Sequence, residues 1–156
     1  MSSRSLDDLY PPTRRKVDAL IAECFMHGIR VRAICTYRSN AEQAALFAKG
    51  RTAPGKIVTK ARPGSSFHNC RRAVDFVILT STGAVDWVWM ESAACRPLWA
   101  EFGRVAKLCG LTWGGDWVNI VDRPHVEDRW CETCNEAFKA VAHFDEDGNC
   151  HDLVEG

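Results

Sequence analysis

A single carboxylate interrupts the most apolar segment of the chain, and this interruption limits what the chain can fold into. Residues 73–79 read AVDFVIL, which is typical of a buried strand, and Asp75 is the one charged residue among them. A buried charge without a partner would cost several kcal/mol or lose its ionisation. The sequence therefore predicts a compensating group beside Asp75, and a bound metal ion would account for the buried carboxylate.

Length and charge exclude several classes of protein. The chain has 156 residues, of which 46% are hydrophobic, enough for one domain with a packed core and too many for intrinsic disorder. Twenty Lys and Arg side chains balance twenty Asp and Glu, so a nucleic-acid binder is not expected. No apolar stretch approaches the roughly 20 residues that span a bilayer, so we expect no membrane insertion.

The N-terminal sequence and the cysteines indicate a reducing compartment. The first segment, MSSRSLDDLYPPTRRK, has no apolar core, so no ordinary secretory signal is expected and the cytosol is the predicted location. Eight cysteines in such a compartment favour thiols or metal ligands over disulfides. For Cys24, Cys35 and Cys109 the pattern predicts buried thiols that pack as small hydrophobic groups.

Three segments are predicted to be helices. Apolar residues recur at helical spacing over residues 17–25, and Gly28 follows them. Ser39 and Glu42 form a capping box at the start of a second helix. A third helix has Pro97 in its first turn and an apolar stripe that Gly110 closes.

The remaining periodic segments are predicted to be strands, at residues 29–35, 73–79, 85–89 and 118–121. Their order among the helices favours an α+β domain with a mostly antiparallel sheet. Residues 50–66 are rich in Gly, Pro, Ser and basic side chains, which predicts a long loop of the kind that tends to be functional.

Two histidines have carboxylates at spacings that suit a metal site. His68 lies seven residues before Asp75, and Asp122 lies three residues before His125. Catalytic zinc takes three such ligands and leaves a fourth position for water, which becomes a nucleophile near neutral pH. A nearby carboxylate can then move the proton. Spacing alone leaves open that these are surface or satisfied core groups. His68 follows a Gly/Ser-rich loop, a placement compatible with an open rim.

Four blocks of sequence, in order, resemble one family of enzymes. SFHNCRRAVDF at residues 66–76 resembles the S-x-H-x-x-G-x-A-x-D signature of the zinc D-alanyl-D-alanine peptidases and their phage relatives, the L-alanyl-D-glutamate endopeptidases. The other blocks are TYRSNAEQAALFAKGRTAPGKIVT at 36–59, LTWGGDW at 111–117 and VDRPHVE at 121–127, and they look most like the phage endolysin branch. The resemblance implies the D-Ala-D-Ala peptidase or hedgehog-like fold, an α+β fold with a small, mostly antiparallel sheet flanked by helices.

The resemblance also implies roles for individual residues. By motif position, His68, Asp75 and His125 bind one catalytic zinc ion, and Asp122 is the catalytic acid and base. Arg38 matches the family's substrate-side arginine, whose guanidinium suits a peptide carboxylate or an oxyanion. A structural ion pair is the alternative role for this arginine.

Further positions carry alternatives or depart from the family pattern. Ser66 matches the signature serine and is expected to bind substrate or to cap the loop, and Trp117 is expected to wall the cleft or to lie in the core. Arg71 stands where the signature has Gly, so the local turn must differ if that position needs positive φ. Glu127 is a rival to Asp122 as the base, and Asp122 is preferred because its offset from the last ligand matches the family.

The predicted organisation is a zinc peptidase domain at residues 1–128 and a Cys- and His-containing extension at 129–156 that packs on the same domain. The extension contains candidate ligands for a second, structural zinc ion: Cys131, Cys134, His143 and Cys150. Plain reduced thiols and a redox-active CxxC pair are the alternatives.

The function implied by the resemblance is that of an endolysin. Such an enzyme is a zinc-dependent peptidoglycan endopeptidase that hydrolyses the L-alanyl-D-glutamate bond of the stem peptide and causes bacterial cell lysis. We expect a monomer that is made in the host cytoplasm and reaches the cell wall through a holin pore. The alternatives are a D-alanyl-D-alanine carboxypeptidase and a non-catalytic cell-wall-binding module.

Overall fold

The computed structural model describes residues 1–129, 142–144 and 150–153. Four α-helices lie within these residues: α1 (Pro11–Met26), α2 (Asn40–Ala48), α3 (Trp87–Glu91) and α4 (Arg96–Leu108). The strands are β1 (Val31–Cys35), β2 (Ala73–Ile78), β3 (Thr112–Trp113), β4 (His125–Glu127), β5 (Ala142–Phe144) and β6 (Cys150–Leu153). Short 3-10 helices occupy Leu6–Asp8 and Gly114–Asp116. None of the helices in the described residues has the length and apolarity that crossing a bilayer requires.

The strands confirm the predicted antiparallel sheet. Strands β1 to β4 form one sheet in the order β1-β2-β4-β3, and β5 and β6 form a separate antiparallel pair. The register pairs Cys35 with Asp75, and Asp75 with His125. Directly paired residues on neighbouring strands share a face of the sheet. The fold therefore places a thiol, a carboxylate and an imidazole in one row across three strands.

The hydrophobic core lies on the opposite face of β2. The ring of Phe76 packs edge-on against Phe102 of α4, with centroids 5.7 Å apart, and Trp99 packs against the same Phe102 at 5.5 Å. All three are buried, and α1 packs against α4 and β1. Successive strand residues point to opposite faces, so the burial of Phe76 directs Asp75 away from the core.

The predicted helices are confirmed together with the signals that begin and end them. Ser39 Oγ accepts a hydrogen bond from the Glu42 backbone N–H at 3.2 Å, and the Glu42 carboxylate accepts one from the Ser39 N–H at 3.0 Å. This capping box satisfies two backbone donors at the start of α2. Pro97 lies in the first turn of α4, and Gly110 follows this helix with φ of 78°.

Two predicted strands are wrong. Residues 85–89 instead contain the start of α3, because the Asp86 carboxylate caps this helix by accepting from the Trp89 N–H at 2.9 Å. Residues 118–121 form no strand, and Val118 is 92% exposed, so this apolar run is not part of the core. The sheet instead uses β3 and β4, which are too short to produce a periodic signal in the sequence.

We predict that Gly103→Ala destabilises the fold. Gly103 of α4 faces the indole of Trp113, and an added Cβ would overlap this ring. Overpacking of this kind costs about 1–3 kcal/mol, whereas Ala in an open helix position stabilises by about 1 kcal/mol relative to Gly. Urea unfolding should therefore show a loss of stability, and a smaller loss in a Trp113→Leu background. A gain in stability from Gly103→Ala alone would contradict this packing.

Candidate metal centre

The three residues predicted as metal ligands converge at one point on the face of the sheet opposite the core. Nε2 of His68 lies 3.2 Å from Oδ1 of Asp75, and Nδ1 of His125 lies 3.0 Å from the same oxygen. Both imidazoles are buried, and the Asp75 side chain is 18% exposed. The structure thus places two ring nitrogens around one carboxylate oxygen. These are the compensating groups that the sequence predicts beside Asp75.

A backbone carbonyl orients the first imidazole. Nδ1 of His68 lies 2.7 Å from the carbonyl oxygen of Thr36, which can only accept a hydrogen bond. Nδ1 therefore carries a hydrogen, and Nε2 is the nitrogen that faces Asp75 and would bind a metal ion when the ion displaces its proton. The open-rim placement considered for His68 is wrong, because the ring is enclosed between Thr36 and Asp75 and is 2% exposed.

A carboxylate orients the second imidazole in the same way. Nε2 of His125 lies 2.8 Å from the Glu127 carboxylate, which is 5% exposed and also pairs with Arg129. The hydrogen on Nε2 leaves Nδ1 as the nitrogen that faces Asp75 and that a metal ion would use. Metal-bound histidines commonly donate their other N–H to a carboxylate or a carbonyl. Glu127 lies behind the imidazole, a position that suits orientation of His125 better than proton transfer.

The Asp75 carboxylate stabilises the protonated form of both imidazoles, and a bound metal ion would take the place of the protons between them. Burial opposes charge on both imidazoles, yet the Asp75 carboxylate raises the pKa of His68 to about 10. Hydrogen bonds to Asp75 and Glu127 likewise overcome burial and raise the pKa of His125 to about 9. Burial alone would raise the pKa of Asp75, but the two imidazoles hold it well below its ordinary value. Two imidazole nitrogens and a carboxylate oxygen are a donor set of catalytic zinc sites.

Asp122 lies beside this cluster on the segment that precedes β4. Its carboxylate belongs to a group with Asp75 and His125 whose ligand atoms lie within 4.8 Å of one another. Burial raises the pKa of Asp122. Its backbone N–H donates to the Gly114 carbonyl at 3.0 Å, and a Cβ at Gly114 would lie 2.5 Å from the Asp122 carbonyl oxygen. Sequence analysis missed this close approach, which the paired glycines of LTWGGDW could have indicated.

Arg38 lies between β1 and α2, after the predicted strand and directly before the capping box. Its Nη2 is 3.4 Å from Oδ2 of Asp75 and 3.3 Å from Sγ of Cys35, and its Nη1 donates to Oε1 of Gln43 at 3.0 Å. The guanidinium therefore points at the cluster and also makes the ion pair that was considered as its alternative role. Its side chain is 14% exposed, so part of it remains accessible to solvent.

Cys35 lies among polar groups, unlike a thiol that packs only against apolar side chains. It is buried as predicted, but its Sγ lies 3.6 Å from Nδ1 of His68. Burial would raise the pKa of the thiol, and the contact with His68 outweighs it, so the net shift is downward. Cys35, His68 and Asp75 form a second possible metal group by distance. Because Nδ1 of His68 carries a hydrogen, this nitrogen cannot bind a metal ion placed between His68 and Cys35. Cys24 is buried and Cys109 is half-buried.

Ser66 contacts the backbone of His68, and Trp117 packs beside His125. Ser66 Oγ accepts from the His68 backbone N–H at 3.3 Å, which is the loop-capping contact. The half-buried Trp117 ring lies 5.0 Å from the His125 ring, tilted by 46°, next to the cluster rather than within the core. Roles for both residues in substrate binding remain predictions.

The turn at Arg71 keeps a backbone conformation that favours glycine. Among the described residues, Arg71 is the non-glycine residue with positive φ, at 62°. Its guanidinium lies 4.4 Å from the Tyr37 ring centroid and donates to the Asp8 carbonyl at 3.1 Å. Arg71 therefore adopts the left-handed conformation that the signature Gly would allow, and its side chain ties the N-terminal segment to this turn.

The predicted second zinc site falls largely outside the described residues. Cys131 and Cys134 are not among them, and the organisation of residues 129–156 is likewise untested. His143 lies in β5 and Cys150 begins β6. The backbones of these two strands pair with each other.

Comparisons with known sequences agree with this geometry. A family model described as D-alanyl-D-alanine carboxypeptidase matches residues 59–128. The chain is 38% identical over 122 residues to the peptidoglycan L-alanyl-D-glutamate endopeptidase CwlK of Bacillus subtilis, a match that covers 77% of this chain and 73% of that protein. It is 32% identical over 101 residues to the L-alanyl-D-glutamate peptidase of a Listeria phage, covering 65% of this chain and 31% of that protein.

Solved structures share the fold. The L-Ala D-Glu endopeptidase ChiX of Serratia marcescens matches with a TM-score of 0.58 and 20% identity, covering 83% of this chain and 89% of that chain. The vancomycin resistance D,D-pentapeptidase VanY, solved in complex with Zn(II), matches with a TM-score of 0.54 and 13% identity, covering 77% and 72%. These likenesses confirm the predicted peptidase fold.

We predict that Glu127→Gln weakens zinc binding by about 10- to 100-fold, as the loss of groups that orient metal-bound histidines commonly does. The amide keeps the shape of the side chain but removes the charge behind His125. Zinc affinity should be measured by competition with a chromophoric chelator. Asp116→Asn is the matched control, because Asp116 is an exposed carboxylate paired with Lys107. Equal affinities in the two variants would contradict the orienting role.

Proposed function

Because this chain belongs to the D-alanyl-D-alanine carboxypeptidase family of zinc peptidases, we propose that it hydrolyses the L-alanyl-D-glutamate bond of peptidoglycan stem peptides. The observation that carries the proposal is the convergence of His68 Nε2 and His125 Nδ1 on one oxygen of Asp75, with Asp122 beside them. This donor set lies in a chain that is 38% identical to a named L-alanyl-D-glutamate endopeptidase.

His68, Asp75 and His125 would hold the zinc ion. When bound, zinc supplies a Lewis acid that polarises a peptide carbonyl and lowers the pKa of water. The hydrogens fixed on the outer nitrogens of both imidazoles leave the inner nitrogens to bind the ion when it displaces their protons. This preorganisation supports a resident metal at this position.

Asp122 is proposed as the group that moves the proton. Its carboxylate accepts a proton from the attacking water and returns it to the nitrogen of the leaving D-glutamyl amine. Burial raises the pKa of Asp122, which brings the carboxylate closer to the range in which both steps are favourable. The hydrogen bond to the Gly114 carbonyl holds its backbone in place while the side chain acts.

Arg38 and Trp117 are proposed as substrate-side groups. The Arg38 guanidinium points at the cluster and would stabilise the negative charge that develops on the carbonyl oxygen or would bind a peptide carboxylate. The Trp117 ring packs beside His125 and would form a wall of the cleft. Ser66 holds the backbone of His68, and its hydroxyl is proposed to hydrogen-bond the substrate.

The alternative activity is that of a D-alanyl-D-alanine carboxypeptidase, which the description of the matching family model favours. The same donor set would serve it. The relative that this chain matches over most of its length is an endopeptidase, and this favours the L-alanyl-D-glutamate bond. A non-catalytic cell-wall-binding module would have no use for Asp122 beside an open metal position.

The biological setting proposed is lysis of a bacterial cell by an endolysin. The likeness to a Listeria phage peptidase supports this setting. We propose that the enzyme is a monomer, accumulates in the host cytoplasm and reaches the cell wall through a holin pore.

The bond cleaved can be identified with defined stem peptides. Zinc-replete protein, incubated with and without a strong chelator, should release peptides with a new N-terminal D-glutamyl residue, as identified by mass spectrometry. Chelation should abolish these products, and added zinc should restore them. Free D-alanine would transfer the assignment to the carboxypeptidase. Absence of any cleavage would contradict both activities and favour the binding module.

We predict that Asp122→Asn lowers kcat by about 10²- to 10⁴-fold, the usual effect of losing a general acid–base group. The amide is similar in size but cannot take the proton. Zinc content and unfolding temperature should stay close to those of the wild type, and Asp116→Asn should keep full activity. Wild-type kcat in Asp122→Asn would transfer the role to another carboxylate, with Glu127 tested next.

We also propose that Cys131, Cys134, His143 and Cys150 bind a second, structural zinc ion. Native mass spectrometry of the zinc-replete protein should then show two zinc ions per chain, and Cys131→Ser with Cys134→Ser should retain one. His68→Ala provides the complementary control, because it should lose the other ion. A single zinc ion in the wild type that persists in the double serine variant would overturn the second site.

A further inference from the structure

One long segment of the chain carries positive charge alone. Residues 43–74 contain no Asp or Glu, although the whole chain has twenty of them and no net charge. Five of the basic residues in this segment lie in residues 49–62, hereafter the basic loop, and all five side chains are exposed: Lys49, Arg51, Lys56, Lys60 and Arg62. The fold therefore presents a local positive surface on a neutral protein.

The basic loop is tied to Arg38 by a buried amide. Gln43 is fully buried, its Oε1 accepts from Nη1 of Arg38 at 3.0 Å, and its Nε2 donates to the Ala61 carbonyl at 2.8 Å. A single side chain thus fixes the guanidinium that points at the cluster and the part of the loop between Lys60 and Arg62.

A second buried amide connects the same two elements. Asn69 Nδ2 donates to the Arg38 carbonyl at 2.8 Å. Its Oδ1 accepts from the backbone N–H groups of Gly64 and Ser66 at 3.1 and 3.2 Å. Asn69 is fully buried and lies next to His68 in the chain. The end of the loop therefore has a fixed position relative to both Arg38 and the candidate metal ligand.

The cations of the loop differ in what they contact. Arg51 lies over the Phe47 ring at 3.9 Å and donates to the Phe47 and Thr59 carbonyls, so it stabilises the loop itself. Arg62 lies over the same ring at a longer distance, 5.7 Å, and Lys60 and Arg62 flank Ala61, the residue that Gln43 ties to Arg38. These two exposed cations are therefore the ones adjacent in the chain to the residue that is tied to Arg38.

The proposed substrate carries a carboxylate close to the bond that is cleaved. A glutamyl residue has two carboxyl groups, and the onward peptide bond uses at most one of them. Hydrolysis on the N-terminal side of that residue therefore occurs a few atoms from a free carboxylate, unless the carboxylate is amidated. Guanidinium and ammonium groups bind carboxylates through charge-assisted hydrogen bonds.

From this placement we infer that Lys60 and Arg62 form a subsite for the free carboxylate of the substrate's glutamyl residue, next to Arg38. The inference rests on the proposed function. It adds that the site selects substrates whose glutamyl residue has a free carboxylate. A phosphate-rich polymer of the cell wall would be attracted by the same charges, but the amide ties to Arg38 favour an anion that belongs to the substrate itself.

Two peptides that differ at one group test the subsite. One is an L-alanyl-D-glutamate stem peptide with a free glutamyl carboxylate, and the other carries a carboxamide there. The variant is Lys60→Gln with Arg62→Gln, and the control is Arg15→Gln, an exposed cation on α1. In the variant, KM for the carboxylate peptide should rise by about tenfold or more with kcat unchanged, because charge-assisted bonds are lost. KM for the amidated peptide should not change.

Salt and direct binding complete the test. The difference in KM between wild type and variant should shrink as ionic strength rises. An equal rise in KM for both peptides, or no rise for either, would overturn the subsite. Unchanged KM values combined with weaker binding of the variant to phosphate-containing sacculi would instead assign the loop to the wall polymer.

Calorimetric binding separates failure of the inference from failure of the proposed function. If wild-type protein cleaves neither peptide but binds the carboxylate form about tenfold more tightly than the amide, and the variant loses this preference, the subsite stands and the proposed reaction does not. If the two peptides bind equally to the wild type, the subsite is wrong whatever the cleavage results.

Discussion

The structure depends on the interaction between one buried carboxylate and two imidazoles. Asp75 lies in a strand whose neighbouring residues form the core, so its charge has to be met on the other face of the sheet. The sheet register supplies His125 from β4, and the turn before β2 supplies His68. Without these partners the carboxylate would be protonated or the strand destabilised.

Contacts behind the two imidazoles determine which ring nitrogens face Asp75. The Thr36 carbonyl and the Glu127 carboxylate each accept the outer N–H of one imidazole, which leaves both inner nitrogens facing the same oxygen. Buried amides at Gln43 and Asn69 then fix Arg38 and the loop around the cluster. The fold therefore holds the donors, the guanidinium and the loop in one arrangement before any ligand arrives.

Much of this could be predicted from the sequence, and the exceptions have physical causes. The capping box at Ser39 and the periodicity of the helices act locally, so the sequence contains them. The three proposed ligands follow from the charge in β2 and from the family motifs. Strands β3 and β4 are too short to show an alternating pattern of apolar residues. Val118 belongs to an apolar run that predicts a strand, although it is 92% exposed. The Thr36 carbonyl belongs to the backbone, and the polar setting of Cys35 depends on the register between strands, which only the fold reveals.

A zinc-loaded crystal measured at the zinc absorption edge tests the central claim most directly. The account predicts an anomalous peak at about 2.0–2.2 Å from Nε2 of His68, a carboxylate oxygen of Asp75 and Nδ1 of His125, with a further position open toward Asp122. The outer nitrogens of both imidazoles should keep their contacts to Thr36 and Glu127. A zinc ion on the Cys35 side of His68, or no ion at this cluster in active protein, would contradict the account.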